Sequence, residues 1–211
     1  MGGIRDEHVE WAIVNRFKAM LDEPPKTDFN VTQSFALFSS ILLWSKNRAW
    51  VAGNEGVRRS WDDPAHHRAH DVREALRKTP ITDEPWCLPL KPPEVMLVGH
   101  AGERTVNTDF VGMTAEDFFK WLRDALAHGD GRTIKPIHKL SRDHHTTLLA
   151  GFKIEYAPPK VPRRTLVLSL YAADIRRLGI ALADRFCRAL SGGELYFEEE
   201  AGTARIKEQA A

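Results

Sequence analysis

In the segment FFKWLRDALAHGDGR, residues 118–132, an arginine and a histidine stand five positions apart, Arg123 and His128. These two side-chain types suffice for phosphodiester chemistry without a metal. An imidazole shuttles protons to attacking and leaving oxygens near neutral pH. A guanidinium grips a phosphate with two parallel hydrogen bonds and stabilises the charge that builds on phosphorus. Asp124 precedes His128 by four residues, one helical turn, where it could orient or charge the imidazole. His128 also stands at the end of the helical pattern, where the macrodipole favours a cation.

The element that must position them is a helix opening at Thr114, with Asp117 in a capping-box-like position three residues on, and stopping at Gly129. Spaced around a helix, Phe118, Phe119, Trp121, Leu122, Ala125 and Leu126 fall within an arc of ~160° that must face a core. Arg123 and His128 fall at opposite edges of the polar arc, ~140° apart around the axis and ~7.5 Å apart along it. Small Ala127 lies between them, so a second helix could approach closely there. Within one chain the two side chains do not converge easily. A two-fold axis that set the same face of a second copy opposite would gather two arginines and two histidines in one cleft. The plainer alternative is a solvated helix face carrying an unremarkable Arg and His.

The run Arg123-Asp124-Ala125-Leu126-Ala127-His128 resembles the arginine, short spacer, histidine motif of HEPN domains, with a polar residue directly after the arginine, and the continuation HGDGR is similar as well. The motif proper covers six residues. The resemblance implies a helical-bundle dimer. It implies a metal-independent endoribonuclease of the kind found in toxin–antitoxin, anti-phage and CRISPR-linked systems. Arg123, His128 and Asp124 from two protomers would form one composite site, where an RNA 2′-hydroxyl attacks its own phosphate. The implied partners are RNA, a second copy of the chain and an antitoxin or regulatory protein, with no metal and no cofactor. The alternative within the same resemblance is a non-catalytic RNA- or partner-binding regulatory module.

Directly after the motif, GRTIKPIHKLSRDHH is locally basic. Arg132, Lys135, Lys139 and Arg142 read either as a strip that grips an RNA backbone or as a solvated loop. Lys160, Arg163 and Arg164 would extend the strip if the later strands folded beside it. Asp130 reads as a turn residue. Elsewhere, His66, His67, His70 and Asp71 share one predicted helix, with i, i+4 spacing that can hold zinc. A third ligand from another element would be needed, and no HExxH is present. A His- and Arg-rich surface helix is the simpler reading. His144 and His145 sit in an apparent loop. No GxxxxGK[ST], GxGxxG or GxSxG occurs, which disfavours triphosphatases, dinucleotide enzymes and serine hydrolases of the elbow type.

The remaining pattern supplies the frame. The chain has 211 residues, of which 43% are hydrophobic, enough for a real core. The net charge of +1 advertises no global attraction to nucleic acid, so any such binding must be local. The two cysteines, Cys87 and Cys187, form no CxxC pair and suit free thiols in a reducing compartment. MGGIRDEHVEW lacks the apolar core of a signal peptide, and no run approaches the ~20 apolar residues of a membrane span, so a cytoplasmic protein without a membrane partner is expected.

Helices are expected over residues 5–22, over a long apolar run following Asn30 or Thr32, over 62–78, over the motif helix and over 171–190. Residues 80–113, punctuated by prolines, read as an irregular connector with one short strand at 95–98. Residues 148–156 and 164–171 read as an antiparallel strand pair. The expected fold is mainly α: an HEPN-like helical bundle over residues 1–193 with a small strand pair at 148–171, then a polar tail, 194–211.

Overall fold

The computed structural model describes residues 9–23, 29–53, 73–74, 76–99, 104–158 and 164–191. Helix α1 spans Val9–Asp22 and α2 Asn30–Gly53. Residues 73–74 and 76–78 are helical, and a short 3-10 turn covers Thr108–Phe110. Helix α3, which carries Arg123 and His128, spans Ala115–His128. Strands β1 (Ile134–Leu140), β2 (Thr147–Tyr156) and β3 (Leu166–Tyr171) follow, and α4 (Ala172–Ser191) closes the described chain.

Within the described residues the expected helices form where periodicity placed them; of the one expected over 62–78, only 73–74 and 76–78 are described, and these are helical. In α4, Ile175, Leu178, Leu182, Phe186 and Leu190 are all buried, and they pack with Val14 and Leu21 of α1 and Phe38, Ile41 and Leu42 of α2. The proline EPP after α1 and the predicted tail 194–211 lie mostly or wholly outside the described residues, as do His66, His67, His70 and Asp71.

The mainly helical class does not hold. The three strands form one antiparallel sheet in the order β1-β2-β3, so the fold is mixed α/β. The sheet is part of the core. Ile154, Leu166, Leu168 and Leu170 are buried on the face that meets the helices, and Phe152 stacks on Phe35 of α2 with ring centroids 4.3 Å apart.

The strand that the pattern hid is β1. Pro136 and three basic or imidazole side chains within IKPIHKL give it the look of a loop. Proline is tolerated because β1 is an edge of the three-stranded sheet, where an N–H need not face a ladder partner. Ile134 pairs with Ile154 and Pro136 with Phe152, and the register slips between Ile137 and His138. Gly151 is required at the centre of the sheet. A Cβ there would stand 2.0 Å from the Leu170 carbonyl oxygen of β3, closer than any side chain allows.

The proline-punctuated connector is irregular, as expected, but it seals both edges of the sheet. On the β1 side, Leu97 forms an isolated bridge to Lys139, with Val98 N–H donating to the His138 carbonyl at 2.9 Å and Leu140 N–H to the Met96 carbonyl at 3.0 Å. This is the short strand expected at 95–98, reduced to one bridge. On the β3 side, the buried Asn107 substitutes for a neighbouring strand. Its Oδ1 accepts from Ser169 N–H at 2.7 Å and its Nδ2 donates to the Ser169 carbonyl at 3.1 Å and the Pro89 carbonyl at 2.9 Å. Asp109 accepts from Val167 N–H one pleat along. Unpaired strand edges invite association with other chains, and such covers remove them.

Candidate functional site

Helix α3 begins as its sequence dictates. Thr114 is the N-cap, its hydroxyl accepting from Asp117 N–H at 3.2 Å. The apolar arc is buried as expected: Phe118, Phe119, Trp121, Leu122 and Ala125 face the core, with Leu126 half-buried beside them. Phe110 and Phe118 meet edge to face, as do Phe110 and Trp121, and Trp121 Nε1 donates to the Tyr156 carbonyl of β2. These contacts fix the rotation of α3 and so the direction of its polar arc. Gly129 ends the helix for a different reason from the one expected. Its φ of −76° is not left-handed. Glycine is needed because a Cβ would stand 2.4 Å from the Ala125 carbonyl oxygen.

Arg123 and His128 diverge, as their spacing dictates. Arg123 is half-buried on the α2 side, while His128 is exposed at the last turn. Among the described residues nothing joins them. Asp124 pairs with Arg123 at 2.9 Å and makes no hydrogen bond or ion pair with His128, so it positions the guanidinium and not the imidazole. Arg123 Nε is buried and has no hydrogen-bond partner among the described residues.

The basic strip breaks into pieces. Asp130 accepts from Arg132 at its backbone N–H, Nε and Nη2 and from Thr133 N–H, an Asx turn that ties Arg132 locally. The Arg132 hydrogen bonds hold the Asp130 carboxyl down at about 2. Asp130 is therefore a turn residue, as read from the sequence. Lys135 on β1 pairs with Glu155 of β2 at 2.7 Å. Lys139 lies next to the sheet cover at Leu97, and Arg142 is exposed in the β1–β2 turn, where Ser141 donates to Asp143 and accepts from Thr146 N–H. Lys160 and Arg163 lie outside the described residues, and Arg164 pairs with Asp109 at 3.6 Å. No group of three His, Cys, Asp or Glu that could hold a metal occurs among the described residues. Nor does any described helix have the length and apolarity to cross a membrane.

The charged groups that do gather, around Lys46, come from three separate parts of the chain. Lys46 of α2 is only 9% exposed, and its ammonium donates to the Glu116 carbonyl at 3.5 Å. Glu116, in the first turn of α3, receives Arg73 on one carboxylate oxygen at 2.9 Å and Arg77 on the other at 2.7 Å. Arg77 also meets Glu74. Burial pushes the Glu116 carboxyl up, but the hydrogen bonds and charges of the two arginines outweigh it and leave it below the ordinary value. Burial pulls the Lys46 ammonium down from 10.5 to about 8. Glu116 opposes that fall, and the like charges of Lys120, Arg123 and Arg73 add to it.

This seam escaped the sequence reading, although one signal was present. Phe38, Ile41 and Leu42 mark the buried stripe of α2, and Ser45 and Lys46 continue it at i+3 and i+4 from Leu42. Two polar residues at core-facing positions of an otherwise apolar helix are the kind of violation that marks a functional or strained place.

No family model, no curated protein and no solved structure matches this chain.

Proposed function

We propose that this protein is a metal-independent endoribonuclease acting as a homodimer, with Arg123 and His128 of two copies forming a composite site. The observation that supports it most is the state of the α3 polar face. Arg123 is held by Asp124 yet keeps a buried Nε–H without an acceptor. His128 stands exposed one and a half turns on, with exposed Ala127 between them. In the proposed reaction His128 takes the proton of an RNA 2′-hydroxyl. The new O2′–P bond forms as the P–O5′ bond breaks, and the partner's imidazole protonates the leaving oxygen. Arg123 balances the charge on the phosphorane oxygens. The products are a 2′,3′-cyclic phosphate and a 5′-hydroxyl end. A toxin or defence effector is the setting that such an activity suits.

The test is RNA cleavage by protein treated with EDTA, run beside Arg123→Ala and His128→Ala, with sedimentation to establish the dimer. Cleavage lost in both folded variants supports the proposal; cleavage retained in both removes it. A second reading, a non-catalytic RNA- or partner-binding module, is favoured by one observation: among the described residues of one chain nothing brings His128 toward Arg123. It predicts RNA binding with no turnover.

A further inference from the structure

The seam between α2 and α3 holds more positive charge than its acids balance. The cations are Lys46, Arg73, Arg77, Lys120 and Arg123; the acids are Glu74, Glu116 and Asp124. Both Glu116 oxygens are taken by Arg73 and Arg77, and Asp124 is taken by Arg123. Lys46 feels the Glu116 charge but makes no side-chain ion pair, and neither does Lys120, among the described residues. Lys46 has three N–H donors and uses one, on a backbone carbonyl at a long 3.5 Å. Arg123, whose charge acts on Lys46 from α3, has a buried Nε–H with no acceptor among the described residues.

A buried ammonium and a buried guanidinium N–H, both short of acceptors and repelling each other, are costly for the fold alone. Core residues that were merely structural would have been apolar or fully paired. An oxyanion seated between them would satisfy both donors and cancel the repulsion. Arg73 and Arg77 do not compete for it, because Glu116 fixes them at the wall of the seam. Lys120, exposed on the same stripe of α3 as Glu116 and Arg123, stands at the mouth.

We infer that the α2–α3 seam is a phosphate-binding site in which Lys46 and the Arg123 Nε–H hold one phosphate group, with Lys120 guarding the entrance. As a phosphodiester of bound RNA, that group rests on the reading given under Proposed function. It then lies near the scissile one, since Arg123, with Nε buried and Nη2 on Asp124, belongs to both sites. As a free phosphate or the terminal phosphate of a nucleotide, it stands without that reading.

The experiment measures binding, not cleavage. Labelled single-stranded RNA with 2′-O-methyl riboses, which cannot be cut through the 2′-oxygen, is titrated in EDTA against the full chain. The variants are Lys46→Met, Lys120→Gln and, as a control for loss of one charge elsewhere, Lys18→Gln on α1. In a second arm, inorganic phosphate is tested for protection against thermal unfolding of wild type and Lys46→Met. For RNA, Lys46→Met weakens binding about ten-fold and lowers the salt slope by about one, Lys120→Gln weakens it a few-fold, and Lys18→Gln leaves it unchanged. A Lys46-dependent shift with phosphate but no RNA binding keeps the site and assigns it to a free phosphate. Equal binding by wild type and Lys46→Met, equal losses in Lys46→Met and Lys18→Gln, or no Lys46-dependent response in either arm would overturn it. A failed cleavage assay with Lys46-dependent RNA binding removes the nuclease reading and leaves the site standing.

Discussion

Two polar regions of this molecule are built on opposite terms. At the outer edge of β3, Asn107 spends its amide on Ser169 N–H, the Ser169 carbonyl and the Pro89 carbonyl. In the α2–α3 seam, among the described residues, Lys46 has one long hydrogen bond and Arg123 Nε has none. Asn107 and Lys46 are both buried, and both regions join segments far apart in the chain. The edge is saturated because its task is to finish a sheet, and every group left open there would cost stability. The seam is unsaturated, which a fold tolerates where the missing partner arrives from outside.

Substitutions can break or sharpen this contrast. The largest effect is expected at the edge and its sheet. Gly151→Ala places a methyl against the Leu170 carbonyl and should cost about 3 kcal/mol or more, read by denaturant unfolding. Close behind is Asn107→Ala. It leaves the buried Ser169 N–H unpaired, which costs about 1–3 kcal/mol, and puts alanine at a φ of 58°. Asn107→Gly removes the backbone strain but not the lost bonds, so the gap between the two variants isolates the conformational part. A negligible effect for both would mean that the edge is not the finished structure described above.

The seam should answer with the opposite sign. A fall of the Lys46 pKa from 10.5 to about 8 corresponds to a penalty on its charged form of roughly 3 kcal/mol. Lys46→Met is therefore expected to stabilise the apo protein at pH 7 by about 1–3 kcal/mol, and a clear loss of stability would contradict the contrast directly. The pH dependence follows from the folded pKa lying below the unfolded one. Below pH 8 both states are protonated and the folded state carries the full penalty. Between pH 8 and 10.5 the unfolded chain binds more protons, so this group's contribution to stability rises with pH. Lys46→Met should lose that rise.

The smallest effect belongs to Glu116, the acid that two arginines share. Glu116→Gln should cost about 1 kcal/mol, because its arginines are partly solvated. Its folded pKa is lowered, so the stability it contributes is complete above the unfolded value of 4.5 and is lost as pH falls through the lowered one. An acid unfolding profile for Glu116→Gln that coincides with wild type would place the pair among the surface pairs that contribute nothing.

Helix α3 was legible almost to the residue. The Thr114 cap, the buried arc from Phe118 to Ala125, the stop at Gly129 and the divergence of Arg123 from His128 all follow from the 100° step and local capping chemistry. The stop itself is steric and not left-handed, which depends on where the Ala125 carbonyl lies. Strand β1 was not legible, because Pro136 and its lysines argue for a loop until β2 is present to pair with it. The basic strip was read with that loop; in the structure Arg132 pairs with Asp130, Lys135 with Glu155, and Lys139 lies at the sheet cover.

The sequence by itself determined the helices, their apolar faces and the two residue types fit for phosphate chemistry, since periodicity and capping are local and act within a few turns. Only the tertiary structure decided that Lys46 would be buried against the Glu116 carbonyl, 70 positions away, and that Asn107 would close the sheet at Ser169, 62 positions away. Desolvation and edge closure arise when distant segments exclude water from one another. No local pattern carries that information except, faintly, a lysine placed where α2 required an apolar side chain.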